Sequence, residues 1–392
     1  MLEHIQILDL TSNLSGPYCT WILGALGADV IKIERPGQGD LARGTKPDVG
    51  EESIYFASVN RNKRSLTLNL KSEQGKTILK QLVAEADVLI ENFRPGVMAR
   101  LGLTAETLQQ LNPQLVSASI SGFGHTGPLQ QRPAFDVVVQ AMSGLMSITG
   151  PEGGPPTRVG ASIGDMAAGM FAAIGILGRL VEREQREGQQ AGPHIDISML
   201  DCQLALLENA IARHLNSDET PRPLGTRHQS LAPFQAYPTA DGMITIAASD
   251  EAQWQRLCIA IEAESLIDEP LFATKRTRLK HHAVLEAALS DKLRTKDTQS
   301  WLDILTEADV PCGPVQTIPQ AIASQQVQAR GMITEVISAD GNKFELVNDP
   351  IIRGSLNQQP RPPALGEHTE EILQMLGYDE AKIEQFKEAA VI

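Results

Sequence analysis

The stretch from Ile5 to Glu34 constrains this chain more than any other. Ile5 to Leu10 alternates and then runs apolar, as a core strand does. SGPYCTWILGALGA follows, with Trp21, Ile22, Ala25 and Leu26 at helical spacing and Gly16-Pro17 at the entry. DVIKIE then reads as a β-branched strand ending at Glu34. Strand, glycine-bearing turn, helix and strand make a βαβ unit, which implies a parallel sheet covered by helices. The pattern recurs. SLTLNL is a strand, SEQGKTILKQLVAEA a helix capped by Ser72, DVLIEN a strand, Thr104 to Leu111 a helix and LVSASIS a strand. Residues 1–200 are therefore expected to form one doubly wound, Rossmann-like α/β domain. Its ligand should lie beyond the carboxyl ends of the strands, at ERPGQGD, ENFRPG and SGFGHTGP.

A chain of 392 residues is too long for one ordinary core, so a second domain is expected. The polar, proline-bearing stretch NSDETPRPLGTRHQ reads as a linker, set at 201–221. Beyond it FQAYPTADGMITIAA has the pattern of a hairpin turning on Asp241-Gly242. Helical segments at AQWQRLCIAI and LEAALSDKL complete a smaller α+β domain, 222–315. Residues 316–392 carry a further helix, a short hairpin across Asp340-Gly341 and a last helix near HTEEILQML.

Charge excludes one large class of partner. Lys and Arg total 34 against 48 Asp and Glu, a net charge of −14, which disfavours nucleic acid as the general partner. An anionic ligand would need a local basic site working against that field. Arg35, RNKR at 61–64, Lys71, Arg94 and Arg100 sit at or near strand ends and would either supply one or belong to an ordinary solvated surface. Cys19, Cys202, Cys258 and Cys312 have neither C-x-x-C nor zinc-ligand spacing, which fits free thiols and a cytoplasmic setting. MLEHIQILDL lacks the pattern of a signal peptide. The uncharged run Met166–Gly178 spans 13 residues, short of the roughly 20 a bilayer needs, and reads as a buried helix. No metal-binding motif occurs, so no metal is expected.

Two short motifs are weak in their context. Gly122-Phe-Gly-His-Thr-Gly127 matches G-x-G-x-x-G after a strand, but Pro128 and LQQRP follow where a dinucleotide site needs a helix. Gly160-Ala-Ser-Ile-Gly164 matches G-x-S-x-G, yet PEGGPPTRVG offers no strand to build the nucleophile elbow. A serine hydrolase acting through Ser162 on thioesters or esters remains the alternative enzyme reading. Asp165 stands alone at the head of an apolar run. As a residue type in that place it serves as a helix N-cap, a solvated turn residue, a base or a nucleophile.

Six blocks together narrow that choice. SGPYCTWILGALGADVIKIERPGQGD, NRNKRSLTLNLKS, DVLIENFRPGVMARLGL, SASISGFGHTGP, FDVVVQAMSGLMSITG and GASIGDMAAGM resemble, in order and spacing, the class III CoA-transferases. The resemblance implies an interlocked homodimer, each large domain built from both chain ends, so that 316–392 returns to it. It implies coenzyme A as cosubstrate, no tightly bound cofactor, and small carboxylic acids as partners. Carried over by motif, the family's nucleophilic aspartate falls on Asp165. CoA contacts fall on Leu14, Ser15, Arg35, Leu68, Asn69, Leu70, Lys71, Asn92, Phe93, Arg94 and Arg100, with Phe135 and Asp136 near the thioester. The family's glycine-rich lid falls near Gly225–Ser230, here GTRHQS, where Gly225, Arg227 and His228 are candidates for substrate contact; Arg158 is another. The chain departs from formyl-CoA transferase at Leu14, Phe135 and Asp136. It looks more like the acetyl-CoA:oxalate and the succinyl-CoA-dependent hydroxymethylglutarate or glutarate branches.

The resemblance implies a chemistry that suits a carboxylate. Asp165 would take the acyl group as a mixed anhydride and then hold CoA as an aspartyl thioester, which splits one hard exchange into easier displacements. Backbone amides at the helix start would stabilise the oxyanions. A CoA-binding or racemase-like relative without transfer is the non-transferring alternative. Family racemases use a His–Asp pair, and no matching histidine stands beside Asp165.

Overall fold

The computed structural model describes residues 1–185, 192–351 and 361–392. The chain divides into two compact units. The first comprises 1–146, 158–219 and 329–392, and the second 147–157 and 220–328.

In the first unit the chain alternates β1 (Gln6–Asp9), α1 (Ser15–Ala25), β2 (Asp29–Glu34), α2 (Ile54–Asn60), β3 (Lys63–Thr67), α3 (Glu73–Glu85), β4 (Val88–Glu91), α4 (Ala105–Leu111) and β5 (Val116–Ser121). It continues through α5 (Asp136–Met142), α6 (Ile163–Gln185), β6 (Ile195–Ser198), α7 (Met199–Leu206) and α8 (Glu208–Asn216). Among the described residues the six strands form one all-parallel sheet in the order β3-β2-β1-β4-β5-β6. That is the doubly wound order, with the chain reversing direction across the sheet between β1 and β4. Successive side chains of a strand face opposite ways, so β1, β2 and β4 feed two cores. Ile7, Val30, Val88, Ile90, Ala118 and Ile120 pack with α1 and α6. Leu8, Ile31, Leu66 and Leu89 pack with α3 and with Ile372, Leu373, Ile383 and Phe386 of the C-terminal helices Thr369–Met375 and Glu380–Glu388.

Helix α6 has the length and composition to cross a bilayer. Its small face instead closes the first core. Ala167, Ala168, Ala172, Ala173 and Ile176 are all buried. Gly169 lets α6 approach α1 closely: a Cβ there would lie 2.6 Å from the Ser15 carbonyl oxygen. The expected Ser72 cap is present, accepting from the Gly75 amide at 3.0 Å.

Two expectations change. The segment 201–221 is not an unstructured linker: it is helical through α7 and α8, and the chain passes between units at 219–220. The polar composition that marked it belongs to residues after Asn216, whereas Met199, Cys202 and Gln203 bury one face of α7. Strand β6 is not apparent in the sequence, because IDIS alternates over only four residues.

The cations of RNKR are structural rather than part of a ligand crevice. Lys63 Nζ lies 3.0 Å from Asp9 Oδ2, both fully buried, and also donates to Pro17 O and Asn60 Oδ1. Arg61 is buried and donates to the Val347 carbonyl. Arg64 pairs with Asp29 and Glu371. Lys32 joins the buried network, 2.8 Å from Asp40 and donating to Thr11 O at 2.9 Å. Burial pushes the Asp9 carboxyl up, but Lys63, Lys32 and bonds from Thr11 and Thr20 override it and hold it well below the usual carboxylate range. These charges hold the turn after β1 from beneath. Asp40 Oδ1 accepts from the Asn13 amide at 3.0 Å and Lys32 fixes the Thr11 carbonyl.

In the second unit β7 (Phe234–Pro238), β8 (Met243–Ala247) and β9 (Cys312–Pro314) form an antiparallel sheet with β8 central. Helices Glu251–Ala260, His282–Leu293 and Thr298–Glu307 pack Trp254, Leu257, Leu285, Leu289 and Trp301 with Ile244 and Ile246. The expected hairpin turns at 239–242, where the Gly242 amide donates to Thr239 Oγ1. The hairpin across Asp340-Gly341, Ile333–Ile337 with Lys343–Val347, belongs to the first unit.

Replacing Asp9 strands two buried lysines without their shared anion. Asp9→Ala should cost about 3–5 kcal/mol in denaturant unfolding, far more than an average surface substitution. A loss under about 1 kcal/mol would contradict the network's role.

Candidate active site

A cleft of ≈ 510 Å³ opens at the carboxyl ends of β1, β4 and β5, across the point where strand order reverses. Four segments build its wall: Ser12–Ser15 after β1, Asn92–Pro95 after β4, Ile120–Gly122 at the end of β5, and Gln130 with Arg132–Phe135 ahead of α5. Thr45, Tyr55, Asp165 and Met199 complete it. Asn92 fastens two of these segments together. Its Oδ1 accepts from the Ser12 amide at 2.9 Å, and its Nδ2 donates to the Ser12 carbonyl at 2.8 Å. Arg94 and Arg132 present exposed guanidinium groups to the cleft.

Asp165 sits in the first turn of α6 as its third residue, so it is not the N-cap. Burial raises its carboxyl to about 7; the Asp136 charge adds to the rise and Arg158 opposes it. Among the described residues no donor hydrogen-bonds that carboxylate. Tyr55 is close by: burial raises its hydroxyl, and the charges of Asp165, Asp40 and Asp136 push the same way.

Asp136 caps the helix instead. Its side chain is buried, and Oδ1 accepts from the Gly164 amide at 2.8 Å. Oδ2 accepts from Gln140 Nε2 at 2.8 Å and from the Arg158 guanidinium at 3.2 Å. Gln140 Oε1 accepts from the Val159 amide at 2.9 Å, tying the segment before α6 to α5. The Gly164 amide is thereby occupied, which removes it from the helix-start donors expected to serve an oxyanion. Gly164 is tightly enclosed: a Cβ would lie 2.1 Å from Gln203 Nε2 and 3.0 Å from Asp136 Oδ1.

Of the expected contacts, Leu14, Ser15, Asn92, Phe93, Arg94, Phe135 and Asp165 line this cleft. Asp136 lies behind Asp165, within hydrogen-bond reach of its helix rather than in the wall. The Leu68 side chain is 1% exposed, packed in the second core and outside the cleft wall. Asn69 is bound to the C-terminal segment through Val391 O and Ala390 O, and Leu70 packs against the same core. Arg35, Lys71 and Arg100 are exposed and outside the cleft wall. Proximity of a strand end in sequence does not fix which way a side chain leaves the sheet. Arg158, read as a possible acceptor contact, is held by Asp136, Ser162 and the Gly160 carbonyl.

The second unit holds the other three. Gly225 has φ +63° and donates to Gly150 O. Arg227 pairs with Glu152 and donates to Leu224 O. His228 accepts from the Ser230 amide through Nδ1 and packs its ring 5.0 Å from Phe234. Thr45, Tyr55, Arg132 and Met199 were not legible in the sequence; Arg132 carries only the weak signal of lying between two motifs.

The weak motifs lose their structural context. Residues 151–162 are irregular, so no strand leads into Ser162. After Gly127 the next helix begins only at Asp136, so no helix N-terminus faces the glycine loop. Among the described residues no cluster of three metal-ligating side chains occurs.

A model of the CoA-transferase family III matches residues 2–369. The acetyl-CoA:oxalate CoA-transferase of Acetobacter aceti is 41% identical over 97% of this chain and 97% of its own. The human succinyl-CoA:glutarate CoA-transferase is 38% identical over 100% of this chain and 90% of its own. The crystal structure of a CaiB/BaiF family protein from Brucella suis superimposes with a TM-score of 0.83 at 34% identity, covering 95% of this chain and 98% of the other.

The raised Asp165 carboxyl makes a stability prediction. Its folded value, about 7, lies above its unfolded value, so the folded state binds the extra proton between about pH 4 and 7 and loses stability as pH rises through that window. Asp165→Asn removes that penalty. It should match the parent near pH 4 and exceed it by about 2 kcal/mol above pH 7, the full shift being reduced for partial exposure. A stability difference independent of pH would contradict the raised value.

Proposed function

The chain belongs to CoA-transferase family III, and on that premise we propose that it moves CoA from an acyl-CoA donor to a free dicarboxylic acid through covalent intermediates on Asp165. The observation that carries the reading is a half-buried carboxylate without a hydrogen-bond donor, in a cleft walled by the switch-point loops. A carboxylate left unpaired in this way keeps its lone pairs for an incoming carbonyl.

The ionised Asp165 attacks the donor thioester carbonyl, forming a mixed anhydride and expelling CoA thiolate. The thiolate attacks the aspartyl carbonyl, which releases the donor acid with the bridging oxygen and leaves an aspartyl-CoA thioester. The acceptor carboxylate then displaces the thiolate to form a second anhydride. Thiolate attack on the acceptor carbonyl yields the new acyl-CoA and restores Asp165. Each intermediate would hydrolyse in open water, so the partly apolar setting of the carboxyl serves the chemistry as well as its protonation. With a value near 7, Asp165 is about half ionised at neutral pH, and it is a stronger nucleophile than an ordinary surface carboxylate. Arg94 and Arg132 suit the phosphates of CoA on a chain of net charge −14.

The donor and acceptor follow the relatives: succinyl-CoA or acetyl-CoA as donor, oxalate or glutarate as acceptor. The reading includes a homodimer. Met170, Ile174 and Val181 leave apolar side chains of α6 exposed, and a second copy would cover them.

Incubation with succinyl-CoA and hydroxylamine should leave a hydroxamate on the Asp165 peptide, read by mass spectrometry. Asp165→Asn should lose exchange by about a thousandfold or more, while Ser162→Ala stays active. In the parent, kcat/KM should rise with pH through about 7, as the carboxyl ionises. An unmodified Asp165 during turnover, or an active Asp165→Asn, would exclude the reading.

A further inference from the structure

We propose that Asp136 is a positioning residue that aims the Asp165 carboxylate by gripping the Gly164 amide, with Arg158 as its adjustable counter-charge. The inference rests on Asp165 acting as the nucleophile and says what holds it there.

The geometry is closed on every side. Asp136 is 5% exposed and all three of its hydrogen bonds run to the segment that presents Asp165 or to α5. The Gly164 amide belongs to the residue immediately before Asp165, so a bond of 2.8 Å to it fixes the direction in which the Asp165 side chain leaves the helix. Gln140 carries the same constraint one step back, through its bond to the Val159 amide. On the far side Gln203 is fully buried, its Oε1 accepts from Ser143 at 2.8 Å, and its amide nitrogen abuts Gly164 without a partner of its own. A Cβ at Gly164 would lie 2.1 Å from Gln203 Nε2 and 3.0 Å from Asp136 Oδ1, so a larger residue there would displace the Gln203 side chain and press on the Asp136 carboxylate.

Charge follows from the same arrangement. Among the described residues the ionisable groups about Asp165 are Asp136 on α5, Arg158 ahead of α6 and Tyr55 on α2, with Asp40 acting on Tyr55. Asp136 opposes ionisation of Asp165 and Arg158 favours it, and the two are bound to each other. Removing either charge should therefore move the pH dependence of the nucleophile in opposite directions. A purely structural residue would leave that dependence where it was. A CoA contact would change KM and not the pH profile.

The test follows hydroxylamine-trapped modification of Asp165 by succinyl-CoA against pH, with kcat and KM for succinyl-CoA measured alongside. Asp136→Asn keeps an oxygen for the Gly164 amide, loses the negative charge and frees Arg158. Its acid limb should fall by about one pH unit, with KM changed less than about twofold. Arg158→Gln should move the limb upward by a smaller amount, its side chain being 41% exposed. Asp136→Ala should lower kcat about tenfold or more, and Asp136→Asn should recover part of that loss. If Asp136→Ala does not fold, the opposed shifts of the other two variants decide. An acid limb unmoved in Asp136→Asn, or a rise in KM with kcat intact, overturns the proposal. If Asp165 is not modified in the parent protein, the nucleophile reading itself fails, whatever the Asp136 variants do.

Discussion

Two helix backbones touch in the first unit, and the cleft is arranged around that contact. α1 and α6 approach until a Cβ on Gly169 would sit 2.6 Å from the Ser15 carbonyl. Ser15 ends the turn that walls the cleft after β1, and Gly169 lies one helical turn beyond Asp165. Packing that close sets the height of the carboxylate relative to the wall. A side chain at 169 would have to push α6 away from α1, moving Asp165 with it.

The β1 turn must in its turn be rigid, and it owes that to buried charge rather than to glycine. Asp9, Lys63, Lys32 and Asp40 form a chain of ion pairs beneath it, with hydrogen bonds to Thr11 and Asn13. Buried ion pairs contribute little net stability against an apolar isostere, but they fix geometry, since breaking one leaves a charge with no solvent. Asn92 then carries the register across to the β4 loop. The wall is thus braced from beneath by buried charges and across its face by Asn92, which itself lines the cleft.

How far this was legible in the sequence depended on range. Local signals read correctly: DVIKIE is β2 residue for residue, and Ser72 caps α3. The βαβ pattern led to a parallel sheet, which the structure has. Long-range contacts were not legible. Lys63 and Asp9 are 54 residues apart, so nothing in RNKR announces that one of its cations is buried under the β1 turn. Asp136 read as a ligand contact because its block lies near the active centre in the family. Its bond with Gln140 is local to α5, but those with Arg158 and Gly164 span 22 and 28 residues, which only the fold brings together. Leu68 followed a motif whose backbone passes near the strand end while its side chain turns into the core. Strand β6 alternates, but over too few residues for the alternation to mark a strand.

On the proposed function, these features answer one demand, conserving the energy of a thioester through two changes of partner. A serine would give an ester that is hard to return to CoA, whereas an aspartyl anhydride or thioester stays close in energy to the acyl-CoA it came from. The proposed relay also moves an oxygen atom, since in it each acceptor acid leaves one of its own on the carrier. The most direct measurement uses an acceptor dicarboxylate with ¹⁸O in its carboxyl groups, succinyl-CoA as donor, and mass spectrometry of both the Asp165 peptide and the released succinate. A covalent relay predicts one labelled oxygen transferred to Asp165 per turnover and, over successive turnovers, into succinate. Exchange that proceeds while Asp165 and succinate remain unlabelled would contradict it.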